Sequence, residues 1–266
     1  MSSKNQIVWI TGASSGIGRA VALECASKGA ILAVSARRID LLDQLVKEIE
    51  SIGGKARAFR CDVTNEANIE ACVDAIVGEY GAIHVVIANA GFGAVGSIEK
   101  LSAADWQRQL AVNVTGLALT TKHALPHLRK TKGRLALLGS VAAFVPNAFL
   151  SPYGASKAAV HNIGESLQLE LKGSGVSCTT IHPGFVESNI ARVDNAGVFH
   201  PDRNDPRPAN LMWPTQKAAR VMVRAIEQRR RVYIFTVHGK IIFWLGRHLP
   251  AVARALVGKL PTPETN

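Results

Sequence analysis

Short apolar runs alternate along the chain with longer stretches in which apolar residues recur every three or four positions. The runs fall at residues 7–10, 31–35, 56–60, 85–88, 135–139, 177–181 and 232–235. Their length and turn-rich flanks predict strands. The periodic stretches fall at 16–28, 41–51, 66–80, 103–129, 153–172 and 215–229, and predict helices, with 103–129 expected as two pieces. Strand–helix alternation of this kind predicts an α/β fold: a doubly wound, seven-stranded, mostly parallel sheet covered on both faces. Asp40 precedes Leu41-Leu42 and reads as a helix N-cap. Between 189 and 214 the pattern breaks down into a polar stretch with Pro201, Pro206, Pro208 and Pro214.

No linker-like or low-complexity tract divides the 266 residues, and a hydrophobic fraction of 47% is ample for one core. One domain over 1–237 is expected, with 238–266 an extension rather than a second domain. Cys25, Cys61, Cys72 and Cys178 form no CxxC pair and are expected to be reduced and buried. His123 and His127 lack a third partner for a metal and read as surface residues. The first strand begins near Gln6, which leaves no room for a signal peptide and makes a cytoplasmic setting the expectation.

The net charge of +11 changes the picture because it is uneven. Residues 1–215 carry 21 Lys/Arg and 18 Asp/Glu, whereas 216–260 carry 10 Lys/Arg and one acid, Glu227. A basic tail on a near-neutral body argues against nucleic acid and for a local contact.

Candidate chemistry starts at Thr11-Gly12-Ala13-Ser14-Ser15-Gly16-Ile17-Gly18, between the first strand and the first helix. Glycines here allow a tight turn and close backbone approach to a pyrophosphate, which the helix N-terminus favours. The second strand ends in Ala36-Arg37-Arg38, where an NAD-binding protein would carry an acid. Arginines there suit a 2′-phosphate, so NADP(H) is expected rather than NAD(H). Asp62-Val63 and Asn89-Ala90-Gly91 follow the third and fourth strands, at the sheet edge where ligands bind; either also reads as turn chemistry.

Tyr153 and Lys157 lie four residues apart and share one helix face. A tyrosine is a poor acid at neutral pH, and a nearby cation lowers its pKa. Ser140 stands at the end of an apolar run. With the nucleotide turn, these residues point to carbonyl/alcohol redox chemistry. His182, before Pro183, has no visible partner and reads as a packed strand-end residue.

Taken together, Thr11 to Gly18, Asp62, Asn89 to Gly91, Asn113, Ser140, Tyr153-x-x-x-Lys157 and Pro183-Gly184 resemble, in order, the single-domain short-chain dehydrogenase/reductase family, a Rossmann-like fold. The resemblance covers nearly everything from Gln6 to about Phe235. It implies that Tyr153 is the general acid and that Lys157 binds the nicotinamide ribose and lowers the tyrosine pKa. Ser140 would polarise the carbonyl. Asn113 would hold the helix geometry and a water leading to Lys157. Pro183, Gly184 and Val186 would face the nicotinamide, with Ser188 near its carboxamide or the phosphates. A homodimer or homotetramer is also implied.

In this family the stretch 189–214 covers the substrate. Phe144, Val145, Phe149, Leu150, Phe185, Phe199, Leu211, Met212 and Trp213 could line an apolar pocket or be ordinary core. The extension departs from compact family members. Its apolar residues flanked by Arg and Lys over 238–259 fit an interfacial segment on anionic lipid. Packing on its own subunit, an oligomer contact and a pocket mouth remain open. The expected activity is NADPH-dependent interconversion of a lipophilic ketone, a long-chain keto-lipid or steroid-like molecule, and its alcohol. The alternatives are a 3-oxoacyl-carrier-protein-type reductase and a non-catalytic NADP(H)-sensing protein.

Overall fold

The computed structural model describes residues 4–258. Among them, β1 (Ile7–Thr11), β2 (Ile31–Ala36), β3 (Lys55–Arg60), β4 (Val85–Ala88), β5 (Arg134–Leu138), β6 (Ser177–His182) and β7 (Val232–Ile234) form one sheet in the order β3-β2-β1-β4-β5-β6-β7. Every pairing is parallel. β1 shows why its sequence is apolar without alternation. Val8 and Ile10 face one layer and Ile7 and Trp9 the other, and all four are buried. The Trp9 indole donates to the Ser35 hydroxyl at 2.9 Å, so its one polar atom is satisfied.

Helices α1 (Gly16–Ser27), α2 (Ile39–Ser51) and α7 (Thr215–Glu227) cover the first face. Helices α3 (Glu66–Tyr80), α5 (Gly116–Thr131) and α6 (Ser151–Glu170) cover the second. The stretch expected as two helical pieces is α4 (Ala103–Leu110) and α5, joined by a π turn over Ala111–Thr115. A Ser102–Asp105 capping box starts α4. Asp40 is not the cap of α2. Arg38 holds that position without a side-chain capping bond, and Asp40 lies inside the first turn. There its charge favours the helix dipole, which is why the sequence pattern is similar.

The strand order reverses between β1 and β4, so a crevice opens at the carboxyl ends of the strands. Residues 189–214 run beside it with short 3₁₀ turns at Asn189–Arg192 and Ala209–Leu211. The extension forms two helices, α8 (Val237–His248) and α9 (Pro250–Val257). Pro250 interrupts them and opens the second, a position where its missing N–H costs nothing. Residues 259–266, the end of the expected extension, lie outside the described residues.

Candidate active site

The glycine turn is pressed against the end of β4. A Cβ on Gly12 (φ 66°) would lie 2.8 Å from the Ala90 Cα, and one on Gly18 would lie 2.5 Å from the Gly12 oxygen. Thr11 Oγ1 accepts from the Asn89 and Ala90 amides, both at 3.1 Å. The Asn89 amide nitrogen donates to the Thr11 and Gly12 carbonyls at 2.9 and 3.1 Å. Asn89 and Ala90 therefore brace the turn from the neighbouring strand. Ser15 caps α1 in extended conformation, but its side chain makes no capping bond. The first-turn N–H groups around Gly16, Ile17 and Gly18 are left for another acceptor. A diphosphate fits such a cradle: donors, the positive end of a helix, and no side chain at Gly16 (φ 56°) in the way.

Arg37 and Arg38 are exposed at the end of β2. The Arg38 guanidinium donates to Ser14 Oγ at 3.1 Å and Ser15 Oγ at 3.4 Å, so it already reaches across the turn. Asp62 accepts from the amide and hydroxyl of Thr64 through Oδ1, at 3.0 and 2.8 Å. This is a turn that fixes the carboxylate beside the buried Val63.

Tyr153 and Lys157 stand on one face of α6, as their spacing predicts, with the Lys157 Nζ 5.7 Å from the tyrosine ring centre. That nitrogen is buried and donates to the Leu138 carbonyl at 2.8 Å. A Cβ on Gly91 would lie 3.1 Å from Asn113 Oδ1 and 3.7 Å from Lys157 Nζ. The absent side chain of Gly91 thus lets these groups share one space. Asn113 sits in the π turn, 1% exposed. Its Oδ1 accepts from the Phe92 amide at 3.1 Å, and its Nδ2 donates to the Phe92 carbonyl and to Ser156 Oγ. Ser140 opens a 3₁₀ turn over Val141–Ala143.

Burial dominates the ionisation of this cluster. It pushes Lys157 down to about 8. It raises Tyr153, while the Ser140 hydroxyl and the Arg207 charge pull the other way. The spacing of Tyr153 and Lys157 predicts a lowered tyrosine; in the folded chain Tyr153 is half-buried, and desolvation outweighs the Ser140 and Arg207 contributions.

The loop 183–188 connects the two halves of the site. At one end the Val141 amide donates to the Pro183 carbonyl at 3.0 Å, beside Ser140. At the other, Ser188 Cβ is 3.4 Å from where a Cβ of Gly16 would stand. Between them Val186 is buried and bridges Trp213. Arg207 donates to the carbonyls of Val186 and Ser188 at 2.9 and 2.8 Å and is itself held by Asp205. Across the crevice, Asn195 pairs through both ends of its amide with the Val95 backbone, at 2.9 and 3.0 Å.

Several of these partners carry no sequence signal. Gln109 bonds the Phe92 carbonyl and the Ala94 amide beside Asn113. His182 is packed, as expected. Its Nδ1 also lies 3.2 Å from the Ser140 amide nitrogen and 3.0 Å from its carbonyl, and burial pushes its pKa down to about 3. Of the residues expected to line a pocket, Phe144 instead packs on His161, His182 and Phe243, and Trp213 on Phe235 and Lys217. An open cavity of about 480 Å³ lies between α1 and α7, lined by Gly16, Arg19, Ser188 and Arg220 among others. It adjoins the glycine turn and does not include Tyr153, so it is not a substrate pocket. His123 is 17% exposed at its side chain and contacts Glu66. Among the described residues, no group of three His, Cys, Asp or Glu side chains could hold a metal. The four cysteines are buried and form no disulfide.

A doubly wound parallel sheet with a glycine turn at its switch point, facing a Tyr–Lys pair, defines a dinucleotide-dependent oxidoreductase. The chain belongs to the short-chain dehydrogenase family, whose model matches residues 6–198. It is 30% identical over 254 residues to 11-beta-hydroxysteroid dehydrogenase A of Sesamum indicum, covering 93% of this chain and 73% of that one. It is 33% identical over 195 residues to an uncharacterized oxidoreductase of Staphylococcus epidermidis, covering 73% and 84%. A short-chain dehydrogenase/reductase from Burkholderia phymatum in complex with NAD superposes with a TM-score of 0.85 at 26% identity, over the whole of both chains. An alcohol dehydrogenase from Thermococcus sibiricus complexed with 5-hydroxy-NADP gives 0.76 at 25% identity, over 88% of this chain and 97% of that one.

Proposed function

We propose that this protein interconverts a lipophilic ketone and its secondary alcohol with NADP(H). The observation that carries the reading is the Tyr153–Lys157 face of α6, with Ser140 close enough to influence the phenol. The bound nicotinamide supplies the hydride. In the reducing direction, Tyr153 gives its phenolic proton to the carbonyl oxygen and Ser140 donates a hydrogen bond to the same atom. Lys157 binds the nicotinamide ribose and stabilises the phenolate that remains. Asn113 keeps the Phe92 backbone and the π turn in place beside Lys157.

Arg37 and Arg38 favour NADP(H) over NAD(H). The Arg38 guanidinium reaches the Ser14 and Ser15 hydroxyls, and Arg37 adds a second exposed cation at the end of β2, where a 2′-phosphate would be neutralised. With no acid at this position, the ribose hydroxyls of NAD would find no carboxylate partner there.

The lipophilic substrate rests on the extension. Val237, Ile241 and Trp244 are 53–69% exposed on α8, and Leu249, Val252 and Leu256 are 45–51% exposed at and along α9. Lys240, Arg247 and Arg254 flank them. An apolar stripe edged by cations suits an anionic lipid surface better than an acidic carrier protein, which would leave the stripe in water. Among the described residues no helix is long and apolar enough to cross a membrane, so the contact would be peripheral. We place residues 1–237 in one catalytic domain and treat the extension as its lipid-facing accessory.

The test is NADPH oxidation over ketones of graded chain length, with Tyr153→Phe beside the wild type. Tyr153→Phe should lose nearly all turnover while still binding NADPH. Near-normal turnover would refute the acid role. Equal KM values for NADH and NADPH, unchanged in Arg37→Asp, would refute the cofactor choice.

A further inference from the structure

Helix α8 does more than carry an apolar stripe. Its inner face touches the loop 183–186 and the 3₁₀ turn that follows Ser140. The His238 Nε2 accepts from the Phe185 amide at 3.0 Å. The imidazole also stacks on the Phe185 ring, with centres 5.3 Å apart and planes at 27°. One turn further, Phe243 packs edge-on against Phe144 at 4.6 Å. Gly239 approaches Val141, where a Cβ would be 3.1 Å away. Gly184 leaves room for the contact, since a Cβ there would run into both His238 and Thr236. The Thr236 hydroxyl in turn caps α8 by accepting from Gly239 at 3.1 Å, which fixes the first turn carrying His238.

We propose that His238 is a positioning residue that holds the nicotinamide-side loop 183–186 in place by accepting the Phe185 amide. The proposal rests on the reading that this loop faces the nicotinamide. Without the imidazole acceptor, that half-buried amide would need another partner or would turn away. Turning it would rotate Gly184 and Val186, the neighbours on either side, relative to Ser140. To accept, the ring is neutral and protonated at Nδ1. Burial lowers its pKa, which keeps it in that form at neutral pH. The extension is thereby tied to the catalytic centre from outside the shared family match, which ends at residue 198.

Two substitutions separate the acceptor from the packing. His238→Phe keeps a ring against Phe185 and removes the acceptor. His238→Gln keeps an acceptor and removes the ring. Dissociation constants are measured for NADPH and for adenosine 2′,5′-bisphosphate, which lacks the nicotinamide half. His238→Phe should weaken NADPH about fivefold, the factor expected for one ordinary hydrogen bond, and leave the bisphosphate unchanged. His238→Gln should recover most of the loss. Wild-type affinity for NADPH in His238→Phe, or equal weakening of both ligands, would overturn the proposal. Should the wild type bind NADH in place of NADPH, the cofactor reading fails separately, and NADH with ADP gives the same comparison.

Discussion

At the scale of single residues, the site depends on charges and dipoles held out of water. Lys157 is the clearest case. Its folded-state pKa of about 8 lies below the ordinary lysine value of about 10.4. Below pH 8 both folded and unfolded chains carry the proton, and the folded chain bears the full cost of burying it. Between roughly pH 8 and 10.4 the folded chain releases the proton first, so stability rises with pH over that window. Relative to Lys157→Met, the wild type without added cofactor should gain on the order of 3 kcal/mol across it. Urea unfolding of both proteins at pH 7.5 and pH 10.5 measures the difference. A constant difference would mean that the amine is hydrated. The candidate pair Tyr153 and Lys157 was legible in the sequence from its spacing on one helix face, whereas the roles of Ser140 and Asn113 came only from the resemblance of the whole motif set to the family. Gln109, Arg207 and the contact of His182 with Ser140 were not legible. Their partners are backbone atoms brought near only by folding, and an amide or imidazole in a helix or strand looks the same without them.

At the scale of elements, close approach and latching decide how the site is assembled. Helix α6 carries Tyr153 and Lys157 and lies so near β6 that a Cβ on Gly164 would run into the Thr180 hydroxyl. Gly164→Ala should push α6 outward despite the better helix propensity of alanine. A loss of about 1–3 kcal/mol in unfolding free energy is expected, with kcat falling as well. Higher stability with full activity would show that α6 has slack to move. The stretch 189–214 is held by a different device, the pairing of Asn195 with Val95. Asn195→Ala removes two hydrogen bonds of about 1 kcal/mol each, so limited proteolysis within 189–214 should accelerate on the order of tenfold or more. Unchanged cleavage would mean that Arg108, which donates to the Asn195 carbonyl at 2.5 Å, and Arg207 hold the stretch without it. The central strands β1 and β4 were readable because both faces of the sheet are covered there and their positions are almost all apolar, whereas the edge strand β3, with Lys55, Arg57 and Arg60, is partly exposed. The π turn at 111–115 was not readable, since one extra residue per turn leaves the spacing of apolar residues nearly unaltered.

For the whole molecule, the uneven charge and the exposed stripe on the extension lead to one expectation. The full-length protein should co-sediment with phosphatidylserine vesicles at low ionic strength and release as salt rises through about 0.15 M, where surface charges are screened within about 8 Å. Ile241→Asp with Trp244→Asp should abolish that binding and leave turnover of a short, soluble ketone intact, because both side chains point away from the crevice-side contacts of α8. Binding that survives the double substitution would assign the surface to another partner.

The sequence alone determined the sheet and the order of the motifs, and through its family resemblance it named the candidate residues for the chemistry. The sheet follows from local periodicity, and the motifs from residue types at fixed spacing. Tertiary structure decided the direction in which Tyr153 titrates and which aromatic residues pack in the core. It also decided that the basic, apolar extension turns one face toward the loop 183–186. Each of these depends on the summed burial and contact of groups far apart in the chain, a quantity that no local pattern of hydrophobic and polar positions encodes.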